Sequence, residues 1–163
     1  NRTPYPPMFW ASQESAAVIE QDFTHAKLLL SESGASGSAS LRFSLKTLPK
    51  YKNVAQRIKE SFKAIGVNAD VEVVSSVPQN YQIFLGDYNV SKDPDQYPLW
   101  HSGQPSNITG YKSLRIDKLL EDGRQVVDMD SRKKIYSDFQ KYLLDDSPAT
   151  FLYFPYYYTV SKR

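Results

Sequence analysis

A chain of 163 residues, 40% hydrophobic and 23% charged, has the length of about one domain and the composition of a globular protein, which sets disorder aside. Its formal net charge of +2 gives no general attraction to nucleic acid or to an acidic membrane. The absence of cysteine excludes disulfides and thiolate zinc sites, and no apolar run reaches the roughly 18 residues of a membrane span.

Aromatic residues are the unusual feature, at 13% with 12 tyrosines. Tyrosine suits a surface that must be apolar yet hydrogen-bond, as in a binding cleft, and equally the edge of a core. The first ten residues lack the apolar stretch of a signal peptide; if the parent protein is exported, its signal is expected upstream. Pro4, Pro6 and Pro7 each fix φ and remove a donor. Residues 1–20 are therefore expected as an irregular strap or crossover.

Asp22 is a good N-cap. After it, Phe23, Ala26, Leu29 and Leu30 share a helical face, and Gly34 suits the left-handed residue that ends the helix. Small polar residues over 36–40 read as a loop. Leu41, Phe43 and Leu45 alternate with polar neighbours as a half-buried strand. Tyr51, Val54, Ala55, Ile58, Phe62 and Ile65 fall at helical spacing up to Gly66. Ala69, Val71 and Val73 alternate as a second strand, and 81–85 is a third. Strand, helix and strand within about 35 residues is a crossover unit, right-handed if the strands are parallel.

After Gly86 comes a long polar loop. Helices are predicted over 114–127 and 131–144, the second capped by Asp130 and stopped by Pro148. Residues 150–158 read as an aromatic strand that Pro155 confines to an edge.

The stretch Asp93-Pro-Asp-Gln-Tyr-Pro-Leu-Trp-His-Ser102 is followed in order by Asn107, Gly110-Tyr111 and Ile116-Asp-Lys-Leu-Leu-Glu-Asp-Gly-Arg124. Arg132, Tyr136, Phe139-Gln140, Pro148 and Phe151-Leu-Tyr153 complete the series. In that order and spacing the chain resembles the C-terminal lobe of the extracellular solute-binding proteins of family 5, which includes the oligopeptide- and dipeptide-binding proteins of ABC importers. The resemblance runs over about residues 20–160. It implies an α/β fold, a mixed sheet flanked by helices, with residues 21–163 as the C-terminal lobe of a two-lobed binding protein. It further implies a peptide or other small solute as ligand, an absent N-terminal lobe and ABC permease subunits as partners, and an extracytoplasmic, lipid-anchored parent. Family members are several hundred residues long, so the chain is expected to be an excised lobe.

In open α/β sheets ligands sit beyond the carboxyl ends of strands, where Asp87, Asp93 and Asp95 follow the third predicted strand. In the resembled proteins an aspartate of this loop pairs with the ligand ammonium, a charge-assisted bond that is strong in a dry cleft. Asp87 and Asp93 rank equal as its counterpart and Asp95 third. The competing reading is turn and cap chemistry for each. Trp100 floors the cleft or anchors the loop, and His101 contacts ligand, binds nickel or haem as in some of the resembled proteins, or makes a structural hydrogen bond. Asn107 and Tyr111 reach the cleft or tie the loop down. Asp117, Arg124 and Arg132 read as structural ion-pair or capping residues.

Asp93 and Asp95 stand only two residues apart, and nothing in the sequence sets them facing each other across a gap as a glycosidase pair; the oxygen ladder of a calcium loop is missing. With two histidines and no cysteine, no catalytic residue, metal site or cofactor is expected. Basic residues are scattered, so no nucleic-acid partner is expected. The alternative function is an interaction or sensor lobe that keeps the fold without a transport ligand, and an enzyme ranks third.

Overall fold

The computed structural model describes residues 3–12, 20–34 and 41–161. The loop read over 36–40 lies outside the described residues. The chain divides into two compact units, residues 20–89 and residues 1–19 with 90–163.

Residues 20–89 begin with α1, Phe23–Glu32. The Asp22 carboxylate accepts from the His25 amide at 2.8 Å, satisfying one of the unpaired donors at the helix start. Gly34 follows the helix with φ +73°. No residue of α1 is buried.

The parallel sheet is built on β1, Arg42–Thr47, which lies between β2, Asn68–Val73, and β3, Ile83–Leu85. Phe43 stands opposite Ala69 and Leu45 opposite both Val71 and Ile83. The centre of the sheet is driest: Leu45 and Thr47 are fully buried. A buried hydroxyl needs a partner, and that of Thr47 donates to the Leu85 carbonyl at 3.1 Å. Just before β3, the Gln82 side chain accepts from the Ser44 amide at 2.7 Å.

A 3-10 turn, Pro49–Tyr51, leads into α2, Lys52–Ala64. This helix packs on β2 and β1. Ala55 is fully buried, and the Phe62 ring meets Phe43 edge-on at 4.7 Å. Gly66, at φ +86°, turns the chain so that Val67 donates to the Phe62 carbonyl. The predicted strand–helix–strand crossover is present with β1 and β2 parallel.

The second unit is helical. It contains the short α3, Tyr97–Trp100, then α4, Leu114–Gln125, and α5, Met129–Asp146. The cap of α5 corrects the sequence reading. Asp128, not Asp130, is the N-cap, with its carboxylate accepting from Ser131 N at 2.9 Å. The cap must be the last extended residue, and Asp130 already lies in the first helical turn.

Ile116 and Leu120 from α4 meet Tyr136, Phe139 and Leu143 from α5, and Trp100, Tyr5 and Ala11 complete the core. Each large side chain fully removed from water contributes about 1.5–3 kcal/mol. Residues 3–12 are irregular, as their prolines require, yet Tyr5 is fully buried. Its ring stacks on Phe9 at 5.4 Å and meets Tyr136 edge-on, and its hydroxyl donates to the Pro94 carbonyl. Gln140 ties the same segment down by donating to the Ala11 carbonyl at 2.6 Å.

Residues 150–158 form no strand, against the sequence reading. Alternation marks a strand only where a second strand supplies hydrogen bonds, and no described strand pairs with this segment. Tyr156, Tyr157 and Tyr158 are instead exposed, while Phe151 meets the Trp100 ring at 6.2 Å.

Candidate functional site

The candidate residues lie on the polar chain that follows β3. Asp87 belongs to the first unit and the other six to the second. Asp87 forms a single ion pair with Lys50 at 2.9 Å, its side chain 38% exposed against 57% for the lysine. Two such groups in water hold each other weakly.

Asp93 is held far more firmly. The Arg132 guanidinium grips it with Nη1 to Oδ2 at 3.1 Å and Nη2 to Oδ1 at 2.9 Å. Arg132 Nε meanwhile donates to the Gly123 carbonyl at 3.0 Å, capping one of the unpaired acceptors that end α4. The guanidinium also lies 5.7 Å from the Trp10 ring and 5.4 Å from Tyr136, within cation–π range. The Arg132 bond holds the Asp93 carboxyl below its ordinary range and raises the guanidinium. Asp93 Oδ1 further accepts from the Asp95 amide at 3.0 Å, an Asx turn.

Asp95 repeats the pattern one step on. Its Oδ2 pairs with Arg124 Nε at 3.0 Å and its Oδ1 accepts from the Tyr97 amide at 2.9 Å. Arg124 in turn lies 4.3 Å from the Tyr97 ring centre. The loop is therefore clamped by α4 through Arg124 and by α5 through Arg132. Turn geometry and ion pairing, the competing reading of both aspartates, are present together.

Trp100 is 4% exposed, and its indole N–H donates to Gln96 Oε1 at 2.8 Å, so it is an anchor in the core. His101 stacks on Tyr97 at 4.2 Å. Its Nδ1 accepts from the Gly103 amide at 3.1 Å, which assigns the proton of the neutral ring to Nε2, 3.4 Å from Glu121 Oε1. Asn107 donates from Nδ2 to the Tyr111 carbonyl at 2.8 Å, with the Trp100 and His101 carbonyls at 3.5 and 3.4 Å. The Tyr111 hydroxyl donates to Asp146 Oδ2 at 2.5 Å. Burial, and then that carboxylate, push the phenol up. Asp117 accepts from the Ser102 amide at 2.8 Å, the structural task read for it.

Sequence reasoning passed over Gln96, which is 3% exposed and bonded to both Trp100 and the Pro4 carbonyl. Its signal was a glutamine four residues before a tryptophan, which places the two side chains on one helical face. Among the described residues, no three histidine, aspartate or glutamate side chains gather as metal ligands would.

No family model matches the chain. Over 93% of its length it is 27% identical to the oligopeptide-binding protein AppA of Bacillus subtilis, covering 33% of that protein. It is 24% identical to the probable D,D-dipeptide-binding periplasmic protein DdpA of Escherichia coli, again over 93% of the chain and covering 32% of the relative. The solved structure of Bacillus subtilis AppA in complex with a nonapeptide superposes with a TM-score of 0.83 at 26% identity, covering 95% of this chain and 36% of that one. The ABC transporter substrate-binding protein CtaP of Listeria monocytogenes superposes with a TM-score of 0.73 at 27% identity, covering 83% of this chain and 30% of CtaP. The chain thus spans about a third of the curated relatives it matches. The resemblance read from the sequence holds: over nearly its whole length the chain is similar to oligopeptide- and dipeptide-binding proteins, and it matches a fragment of about a third of each.

Proposed function

We propose that the chain serves as one lobe of a two-lobed extracytoplasmic binding protein that captures a solute of the peptide class for an ABC importer. The observation that carries this reading is the superposition on AppA over 95% of the chain, since the solved relative holds a nonapeptide. In this reading the second lobe supplies the other wall of the cleft, closure about a hinge buries the ligand, and the permease receives it. Lipid anchoring at the outer face of the membrane belongs to the same proposal.

Asp87 is the carboxylate best able to take a ligand ammonium. Its Lys50 pair is single and exposed, and exposed pairs hold weakly against water, so a ligand displaces it at small cost. Asp93 and Asp95 would first have to surrender Arg132 or Arg124 together with a backbone amide. Asp93, Asp95, Trp100, His101, Asn107 and Tyr111 instead fix the shape of their own loop.

Titration calorimetry with a pool of short peptides tests the proposal. A micromolar site carries about −8 kcal/mol, and if each lobe supplies half, one lobe retains about −4 kcal/mol, which is millimolar. The two-lobed protein should bind in the micromolar range and the 163-residue chain near millimolar or weaker. Micromolar binding by this chain alone, or none by the two-lobed protein, refutes the reading.

A further inference from the structure

Three asparagines stand two residues before a hydroxyl residue with no proline between: Asn1 before Thr3, Asn89 before Ser91 and Asn107 before Thr109. This is the acceptor pattern for N-linked glycosylation. The pattern alone is weak, because the transferase needs an exposed, extendable backbone, a free asparagine amide and an available hydroxyl. The structure separates the three.

At Asn107 the amide nitrogen is spent on the Tyr111 carbonyl. The Thr109 hydroxyl donates to Asn107 Oδ1 at 2.8 Å and accepts from the Tyr111 amide. Both recognition groups are consumed in one knot. Asn1 lies outside the described residues, but its hydroxyl partner Thr3 is 3% exposed and bonds both the Tyr5 carbonyl and the Tyr5 amide.

Asn89 differs on every count. It is exposed, and residues 86–91 carry neither helix nor strand. Among the described residues no hydrogen bond holds its side-chain amide. Ser91 is exposed, and its hydroxyl donates only to the carbonyl of Asp93 two residues on, a local bond that water replaces. Asp87 stands two residues before Asn89 and extends the pattern to Asp-Tyr-Asn-Val-Ser, the acidic five-residue form that bacterial-type oligosaccharyltransferases read. Its exposed Lys50 pair is weak enough to yield to an enzyme.

From this contrast we propose that Asn89 is an acceptor site for N-linked glycosylation. The co-reactant is a lipid-pyrophosphate-linked oligosaccharide. Asn89 Nδ2 forms a bond to sugar C1, the C1–oxygen bond to the lipid pyrophosphate breaks and takes its electron pair with the leaving group, and the amide proton passes to a base of the transferase. The need for an extracytoplasmic compartment rests on the proposed function; the acceptor chemistry does not.

The test incubates the natively folded 163-residue chain with a purified single-subunit oligosaccharyltransferase of bacterial type and a lipid-pyrophosphate-linked oligosaccharide, followed by peptide mapping in a mass spectrometer. One oligosaccharide mass should appear on the Asn89 peptide, and Asn89→Gln and Ser91→Ala should each lower the yield at least tenfold. The Asn107 peptide should carry no such increment. Absence of the increment on the folded chain, whether or not a free Asp-Tyr-Asn-Val-Ser peptide is modified, overturns the proposal, as does an increment on Asn107. The test is independent of peptide titration, so failure of the transport reading leaves its result standing.

Discussion

Arg132→Met removes the guanidinium while keeping a stem to pack on Trp10 and Tyr136, and it tests the clamp on the loop. The Arg132 side chain is 16% exposed and that of Asp93 52%, so on its removal water re-solvates the carboxylate. The ion pair is therefore counted as a surface pair, at about 1 kcal/mol or less. The bond to the Gly123 carbonyl weighs more, because that residue is buried and loses a charged donor, at about 1.5–3 kcal/mol. The expected total is about 1.5–4 kcal/mol. Both tryptophans of the chain, Trp10 and Trp100, belong to the unit that holds Arg132, so urea unfolding followed by tryptophan fluorescence reports that unit. Asp93→Asn supplies the second edge of a double-mutant cycle, and the pair should couple by more than about 0.5 kcal/mol. Because Asp93 is held below its unfolded value by Arg132, its contribution is full above the unfolded pKa of about 3.9 and fades as pH falls through the folded value. The gap between the native chain and Asp93→Asn should stay level from neutral pH to about 5 and close below about 4. A loss under about 0.5 kcal/mol for Arg132→Met, or strict additivity of the two changes, refutes the clamp.

Phe139→Ala empties a fully buried position and should cost about 3–5 kcal/mol by urea unfolding. Phe62→Ala, at a half-buried position against the Phe43 ring, should cost less, about 1–2 kcal/mol; equal losses at the two sites would contradict their burial. Gly123→Ala should destabilise by about 1–2 kcal/mol although alanine favours helices, because its Cβ would stand 2.9 Å from the buried Tyr136 ring and hydroxyl; a rise in the unfolding midpoint would show that Tyr136 gives way freely. In the two-lobed protein, Asp87→Asn should weaken binding of peptides with a free amino terminus by about 2–5 kcal/mol with little change in stability, whereas Asp93→Asn should lower stability first; calorimetry beside thermal unfolding separates the two, and unchanged affinity in Asp87→Asn removes that residue from the site.

Much of the fold was written in local pattern. The Asp22 cap, the Tyr51–Gly66 helix between alternating strands and the two later helices depend on spacing of 3.6 or 2 residues and on side chains that bond their own neighbours. These interactions reach only a few residues along the chain, so the sequence states them directly. The ordered run from Asp93 to Tyr153 likewise carried the family resemblance.

What joined distant residues had no such signature. Nothing in sequence order pairs Asp93 with Arg132 or Asp95 with Arg124; the packing of α4 and α5 beside the loop decides it. The same packing buries Tyr5, whose prolines announced only irregular chain. Two readings failed where local pattern met tertiary demand. Asp130 had the chemistry of a cap, but α5 begins one residue before it, and Asp128 holds the extended backbone a cap requires. Residues 150–158 had the alternation of a strand, but a strand is stable only beside another strand, and the described sheet ends at β2 and β3. Local sequence sets which backbone states are cheap; hydrogen-bond partners and buried surface come from the rest of the fold, and they settle which of those states is kept.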